Sequence, residues 1–144
     1  MGDLNRDGVL DIVSASSLTT RAFLGKGDGS FDKVPTAIAV APRGIPTAAV
    51  IGDIDGDSHF DLAVVVSGGF SWRLSLVRGN GDGTFRDGVH YNTPRLTSLS
   101  GGDFDNNGTV DLVGAGPTVG LNVVLQRNRH RFGWVPAALT IAQR

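Results

Sequence analysis

The chain has no cysteine and no glutamate among its 144 residues, and its longest apolar stretches, such as Leu62 to Val66, are short. Without cysteine there are neither disulfides nor thiolate metal sites, although many exported proteins also lack cysteine, so compartment stays open. Stretches of that length cannot span a bilayer, and no membrane insertion is expected. A formal net charge of −1 gives no reason to expect nucleic acid or an anionic membrane as the main partner. No signal peptide is expected in this sequence, because only Met1 and Gly2 precede the first aspartate. What remains is a length that suits one domain, 40% apolar residues for a packed core, and 21 glycines at turn positions, which point to many short strands.

With glutamate absent, all 14 acids are aspartate, and ten of them fall in three nine-residue loops spaced fifty residues apart. These are Asp3-x-Asn5-x-Asp7-Gly8-x-x-Asp11, Asp53-x-Asp55-x-Asp57-Ser58-x-x-Asp61 and Asp103-x-Asp105-x-Asn107-Gly108-x-x-Asp111. A short carboxylate at fixed loop positions is the donor set of a hard cation such as calcium, which takes about six to eight oxygens at roughly 2.3–2.6 Å. Side chains at loop positions 1, 3, 5 and 9, with the position-7 carbonyls of Val9, His59 and Thr109, would supply five or more oxygens per loop, so up to three Ca²⁺ ions are expected. Glycine at position 6 allows a positive φ. Ser58 replaces it in the second loop, where some strain is expected, while that loop alone carries four carboxylates.

Asp, Asn and Gly are also good turn formers, but three copies in register argue for coordination. A helix–loop–helix calcium hand shares the first nine positions, yet it requires a bidentate acid at position 12 and a following helix. Position 12 is Ser14, Val64 and Gly114, and the residues after each loop read as strand.

Aligned on the aspartates, the repeat is about fifty residues, the length of a propeller blade. Each unit reads as four strands: one before the loop, as in Pro46 to Gly52; an apolar one after it, buried on both faces; a third, half-exposed, as in Arg73 to Arg78; and a fourth, as in Val34 to Val40 or Val135 to Ile141. Between the third and fourth lies a Gly-rich turn, Leu24 to Phe31 and Arg78 to Phe85, in which Asp-Gly flanked by strands signals a hairpin. Its phenylalanine is expected to pack between blades. The third copy, Leu125 to Phe132, is rebuilt with arginines. Blades are expected over about 1–42, lacking its first strand, 43–93 and 94–144.

Together the aspartate loop and the Gly-x-Gly-Asp-Gly-[Ser/Thr]-Phe turn resemble the FG-GAP, or VCBS, repeats of calcium-binding β-propellers such as the integrin α-subunit head. The resemblance implies an all-β propeller of four-stranded antiparallel blades, with calcium held by the loop between the first two strands of each blade. It implies ligands at Asp3, Asn5, Asp7 and Asp11, at Asp53, Asp55, Asp57 and Asp61, and at Asp103, Asp105, Asn107 and Asp111. Closed propellers usually have about four to eight blades. About three are present, so an incomplete propeller is expected, its ends covered by further blades of a longer chain or by self-association.

These features imply a calcium-stabilised extracellular or cell-surface module that binds protein or glycan and is not an enzyme. The alternatives are the propeller portion of a secreted polysaccharide lyase or hydrolase, and a purely architectural repeat. His59 sits where its carbonyl is wanted, and its side chain is expected in solvent. His90 and His130 have no partner at a recognisable spacing, and no Gly-x-Ser-x-Gly nucleophile motif occurs. Phe70 and Trp72 could stack on a sugar ring, whereas Trp134 is expected to pack between blades.

Overall fold

A computed structural model describes residues 1–40, 44–117, 120–128 and 131–135. Those residues contain no helix and form three antiparallel sheets. The first comprises β1 (Ile12–Ala15), β2 (Thr20–Gly25) and β3 (Phe31–Lys33). The second runs β4 (Ile45–Gly52), β5 (Asp61–Ser67), β6 (Trp72–Val77) and β7 (Val89–Thr93), paired in that order. The third repeats the plan with β8 (Ser98–Gly102), β9 (Asp111–Gly116), β10 (Gly120–Asn128) and β11 (Arg131–Val135). This is an open, incomplete, propeller-like all-β fold.

Each sheet is a meander, because short turns permit only antiparallel neighbours. The first blade lacks a full opening strand, as expected, but keeps its last rung. Gly2 bridges Asp11 just as Gly52 pairs with Asp61 and Gly102 with Asp111. Its fourth strand is short: after β3 the chain turns at Pro35, which has no N–H to give a ladder, and touches β2 again through an Ile38 to Thr20 bridge. In the third blade the outermost strand is β11, earlier than the expected Val135 to Ile141, and residues 136–141 lie outside the described residues, as do His130 and the blade boundary near residue 42.

The apolar runs are explained by what lies on either side of the middle blade. Along β5, Leu62, Val64 and Val66 join Leu4, Ala22, Val34 and Ile38 of the first blade, whereas Ala63 and Val65 point the other way into a cluster with Ile54, Leu74, Leu96 and Leu112. Period-two alternation sends successive side chains to opposite faces, so a strand covered on both sides must be apolar throughout. At roughly 1.5–3 kcal/mol for each fully buried aliphatic side chain, these two clusters are the main reason that the blades adhere. The expectation of a half-exposed third strand fails at β6 for the same reason: Leu74 and Leu76 face one neighbour and Val77 the other. The opening strands β4 and β8 lie against one another.

Candidate metal-binding loops

Each aspartate loop is folded by its own carboxylates. Position 1 closes the ring: Asp3 accepts from the N–H groups of Asp7 and Gly8 at 3.1 and 2.9 Å, and Asp103 accepts from Asn107 and Gly108 at 3.0 and 2.9 Å. Asp53 accepts instead from Gly56 and Ser58 at 2.7 and 3.0 Å. Position 5 forms a local turn with position 7: the N–H groups of Val9, His59 and Thr109 donate to Asp7, Asp57 and Asn107, each at 2.8 Å.

Position 9 ties the loop to the rest of the blade. Asp11 is fully buried and accepts from Leu4 N–H at 2.7 Å and from Gly25 N–H, at the end of β2, at 2.8 Å. Asp61, 3% exposed, accepts from Ile54, Asp55 and Gly79 at 3.0, 3.2 and 2.9 Å. Asp111 is also buried and accepts from Phe104 N–H at 2.9 Å. The same aspartate therefore fastens the loop on one side and the strand that follows on the other.

Two of the loops gather three carboxylates. Oxygens of Asp53, Asp55 and Asp61 lie within 4.8 Å of one another, and so do those of Asp103, Asp105 and Asp111. Two oxygens on one calcium ion can be no further apart than about twice the bond length, roughly 5 Å, so both groups fit a common hard cation. In the first loop Asn5 stands where the others have Asp55 and Asp105, and no third acid joins Asp3 and Asp11 there. Asp7 and Asp57, expected as ligands at position 5, are not members of these groups; besides the position-7 N–H groups, Asp7 accepts from the Asn5 amide at 2.9 Å and Asp57 contacts the His59 ring at 3.1 Å.

The second group is the more enclosed. Asp55 is 8% exposed and pairs with Arg78 through a 2.9 Å Nε to Oδ2 contact, whereas Asp103 and Asp105 are exposed. Burial pushes the Asp61 carboxyl up to about 6, and the neighbouring Asp55 charge pushes the same way against three backbone donors. Burial also acts to raise Asp57, but His59 outweighs it through its N–H and its ring, and the carboxyl lies below its ordinary value. His59 was expected in solvent; it is half-buried, with Nδ1 3.1 Å from Asp57 Oδ1 and its ring beneath Gly81.

Positive φ at position 6 is observed in all three loops, but position 4 is left-handed as well. Arg6, Gly56 and Asn106 have φ of 64, 77 and 57°, and Gly8, Ser58 and Gly108 have 84, 68 and 85°. Every loop thus holds one glycine and one other residue at these two positions, and the second loop has exchanged them. Ser58 is not an isolated defect.

At the far end of the strands, the hairpin tips Leu18 and Phe70 are wholly exposed. Trp72 is half-buried against the cluster around Leu74, and the Arg95 guanidinium lies 5.8 Å from its ring centroid, so Phe70 is the free aromatic of that hairpin. His90, expected to have no partner, meets one across β6 and β7, where its Nδ1 is 3.1 Å from Ser75 Oγ. Ser75 is fully buried, which removes its hydroxyl from any substrate.

Blades stacked side by side, each bearing an aspartate loop at one end, define an open propeller-like repeat protein with acidic groups that could hold a metal ion. Residues 3–64 match the model of the FG-GAP-like repeat family. The same loop recurs beyond that span at Asp103 to Asp111. No curated protein matched the chain.

Proposed function

We propose that the chain is a calcium-stabilised, non-enzymatic binding module of an extracellular or cell-surface protein, presenting loops to a protein or glycan ligand. The observation that carries this reading is the convergence of three carboxylates at equivalent places in two successive blades. Each donor is an oxygen, with no histidine or cysteine in either group, which favours calcium over zinc or copper. Asp53, Asp55 and Asp61 would hold one ion and Asp103, Asp105 and Asp111 another, while Asp3, Asn5 and Asp11 form a weaker third site. Bound calcium supplies charge neutralisation for carboxylates that otherwise repel one another. Modules of this kind bind at roughly 0.1–1 mM, useful where free calcium is millimolar.

The match to FG-GAP-like repeats, which are typical of extracellular proteins, supports an extracellular setting. Leu18 and Phe70 project from the rim opposite the aspartate loops, where a partner could reach them without disturbing the ions. Calorimetric titration of chelator-stripped protein with calcium and with zinc tests the metal assignment. Calcium heat is expected, and its absence, or tighter zinc binding at the same loops, overturns it. A glycan array on calcium-loaded protein, with Phe70→Ala as control, separates a lectin from a protein-binding module.

A further inference from the structure

Neighbouring aspartate loops touch, and their two contacts differ in kind. Between the second and third loops the link is backbone. Val110 N–H, at position 8 of the third loop, donates to the carbonyl of Asp53, at position 1 of the second, at 2.9 Å. Side chains close around that bond: a Cβ on Gly52 would stand 3.0 Å from Val110 Cγ2, and one on Gly56 would stand 3.0 Å from Thr109 Cγ2. The strands that lead into the two loops, β4 and β8, lie against one another as well.

Between the first and second loops, no backbone hydrogen bond crosses from loop to loop among the described residues. There the Arg6 guanidinium donates to the Ser58 carbonyl from an exposed position, and the Phe60 ring lies over Gly2, just ahead of the first loop. A long exposed side chain transmits little, because its own rotamer freedom absorbs a shift of either loop. A peptide unit is planar and stiff, so what is done to its C=O is felt by its N–H.

The Thr109–Val110 peptide is such a unit. Its N–H is committed to Asp53, and its C=O is the position-7 carbonyl that the calcium reading assigns to the third loop. We propose that the second and third loops bind calcium as a coupled pair through this peptide, while the first loop binds alone. The inference rests on the calcium reading above and adds its regulation. In each group three carboxylates lie within 4.8 Å, and their repulsion opposes a fixed loop until a cation relieves it. Fixing the Thr109 carbonyl in one loop also orients the donor to the other, so the neighbouring loop has less freedom left to lose on binding. Polarisation acts in the same direction, since a carbonyl drawn to a cation makes the N–H of its peptide a stronger donor. Repulsion between two bound ions works against this, but salt screens it and leaves the peptide link intact.

Amide spectra of the isotope-labelled, chelator-stripped full chain, titrated with calcium in about 1 M potassium chloride, read each loop through its own glycine, because charges more than roughly 3 Å apart are largely screened there. In the wild type Gly56 and Gly108 are expected to share one midpoint and to respond more steeply than a single site, while Gly8 follows a separate curve. Asp55→Asn, which disables the second loop, should weaken calcium binding at Gly108 by about fivefold or more. Asp105→Asn should weaken it at Gly56 by the same factor, since coupling is reciprocal. Arg6→Ala should leave both midpoints where they are. In Asp105→Asn, calcium in the second loop should still move the Val110 amide. Separate, single-site curves in the wild type, or an effect in one direction only, overturn the coupling and leave the calcium reading standing. A wild-type chain in which none of the three glycine amides responds to calcium overturns both.

Discussion

The first and second aspartate loops share the same nine-position grammar and differ in what surrounds them. The second lies in a blade with neighbours on both sides; its position-9 carboxylate takes three backbone N–H groups, and Arg78 holds its position-3 acid. The first belongs to an outer blade, its position-9 carboxylate takes two, and its position-3 residue is Asn5. The same nine-position pattern can therefore be a structural knot in one blade and a lighter clasp in the next, because enclosure comes from the neighbouring blades while the third donor, Asp55 N–H, comes from within the second loop itself.

The sharpest break in that comparison is Asp61→Ala. It leaves three enclosed N–H groups without an acceptor and should cost about 3 kcal/mol or more even in chelator, with Asp11→Ala costing less. Thermal unfolding of the two variants side by side checks the order, and equal losses would show that enclosure does not matter. Calcium should divide the loops next. At about twentyfold saturation one site adds roughly 2 kcal/mol, which for a chain of this size is a rise of about 4–8 °C in Tm. Asp55→Asn should remove much of that rise. Asn5→Asp should enlarge it, while destabilising the metal-free protein by placing a new charge beside Asp7, now bonded by Asn5 at 2.9 Å. Arg78 is a competing cation in the second loop, so Arg78→Gln should tighten calcium there.

Acidification sharpens the contrast. With its carboxyl raised from 3.8 to about 6, folded Asp61 holds a proton more tightly than the unfolded chain does. Metal-free stability from this group is therefore greatest below about pH 3.8 and falls as pH rises towards about 6. Calcium needs the ionised form, so the calcium-induced rise in Tm should shrink as pH drops through about 6, as melting curves with and without calcium would show. The smallest expected effect is Ser58→Gly, which relieves a left-handed serine and should stabilise by about 1 kcal/mol. No gain would mean that the backbone of the second loop is already relaxed.

Strand order and loop position were legible because both depend on neighbours along the chain: Asp-Gly turns, apolar runs and a fixed period. The exchange of glycine between positions 4 and 6 was also written in the sequence, at Gly56 and Ser58, but reading it requires knowing that both positions are left-handed. The His90 contact with Ser75 was not legible, since it depends on how β6 and β7 register. Nor could Leu4, Ile54 and Phe104 be told apart by type, because burial there depends on whether another blade stands alongside. That Asp7 and Asp57 stand outside the converging carboxylate groups depends on the loop's own turn geometry, which the spacing of the acids does not show.

If the two acidic groups take up calcium as proposed, the sign of the molecule's charge reverses. Two divalent ions, adding four charges to a formal net charge of −1, would leave +3, and the passage between these states crosses neutrality before the first ion is complemented by the second. A sequence isoelectric point near 6.2 thus describes only the stripped chain. In millimolar calcium the loaded form would migrate as a cation at neutral pH, and dilution of calcium would bring it through its point of least mutual repulsion, where solubility is lowest.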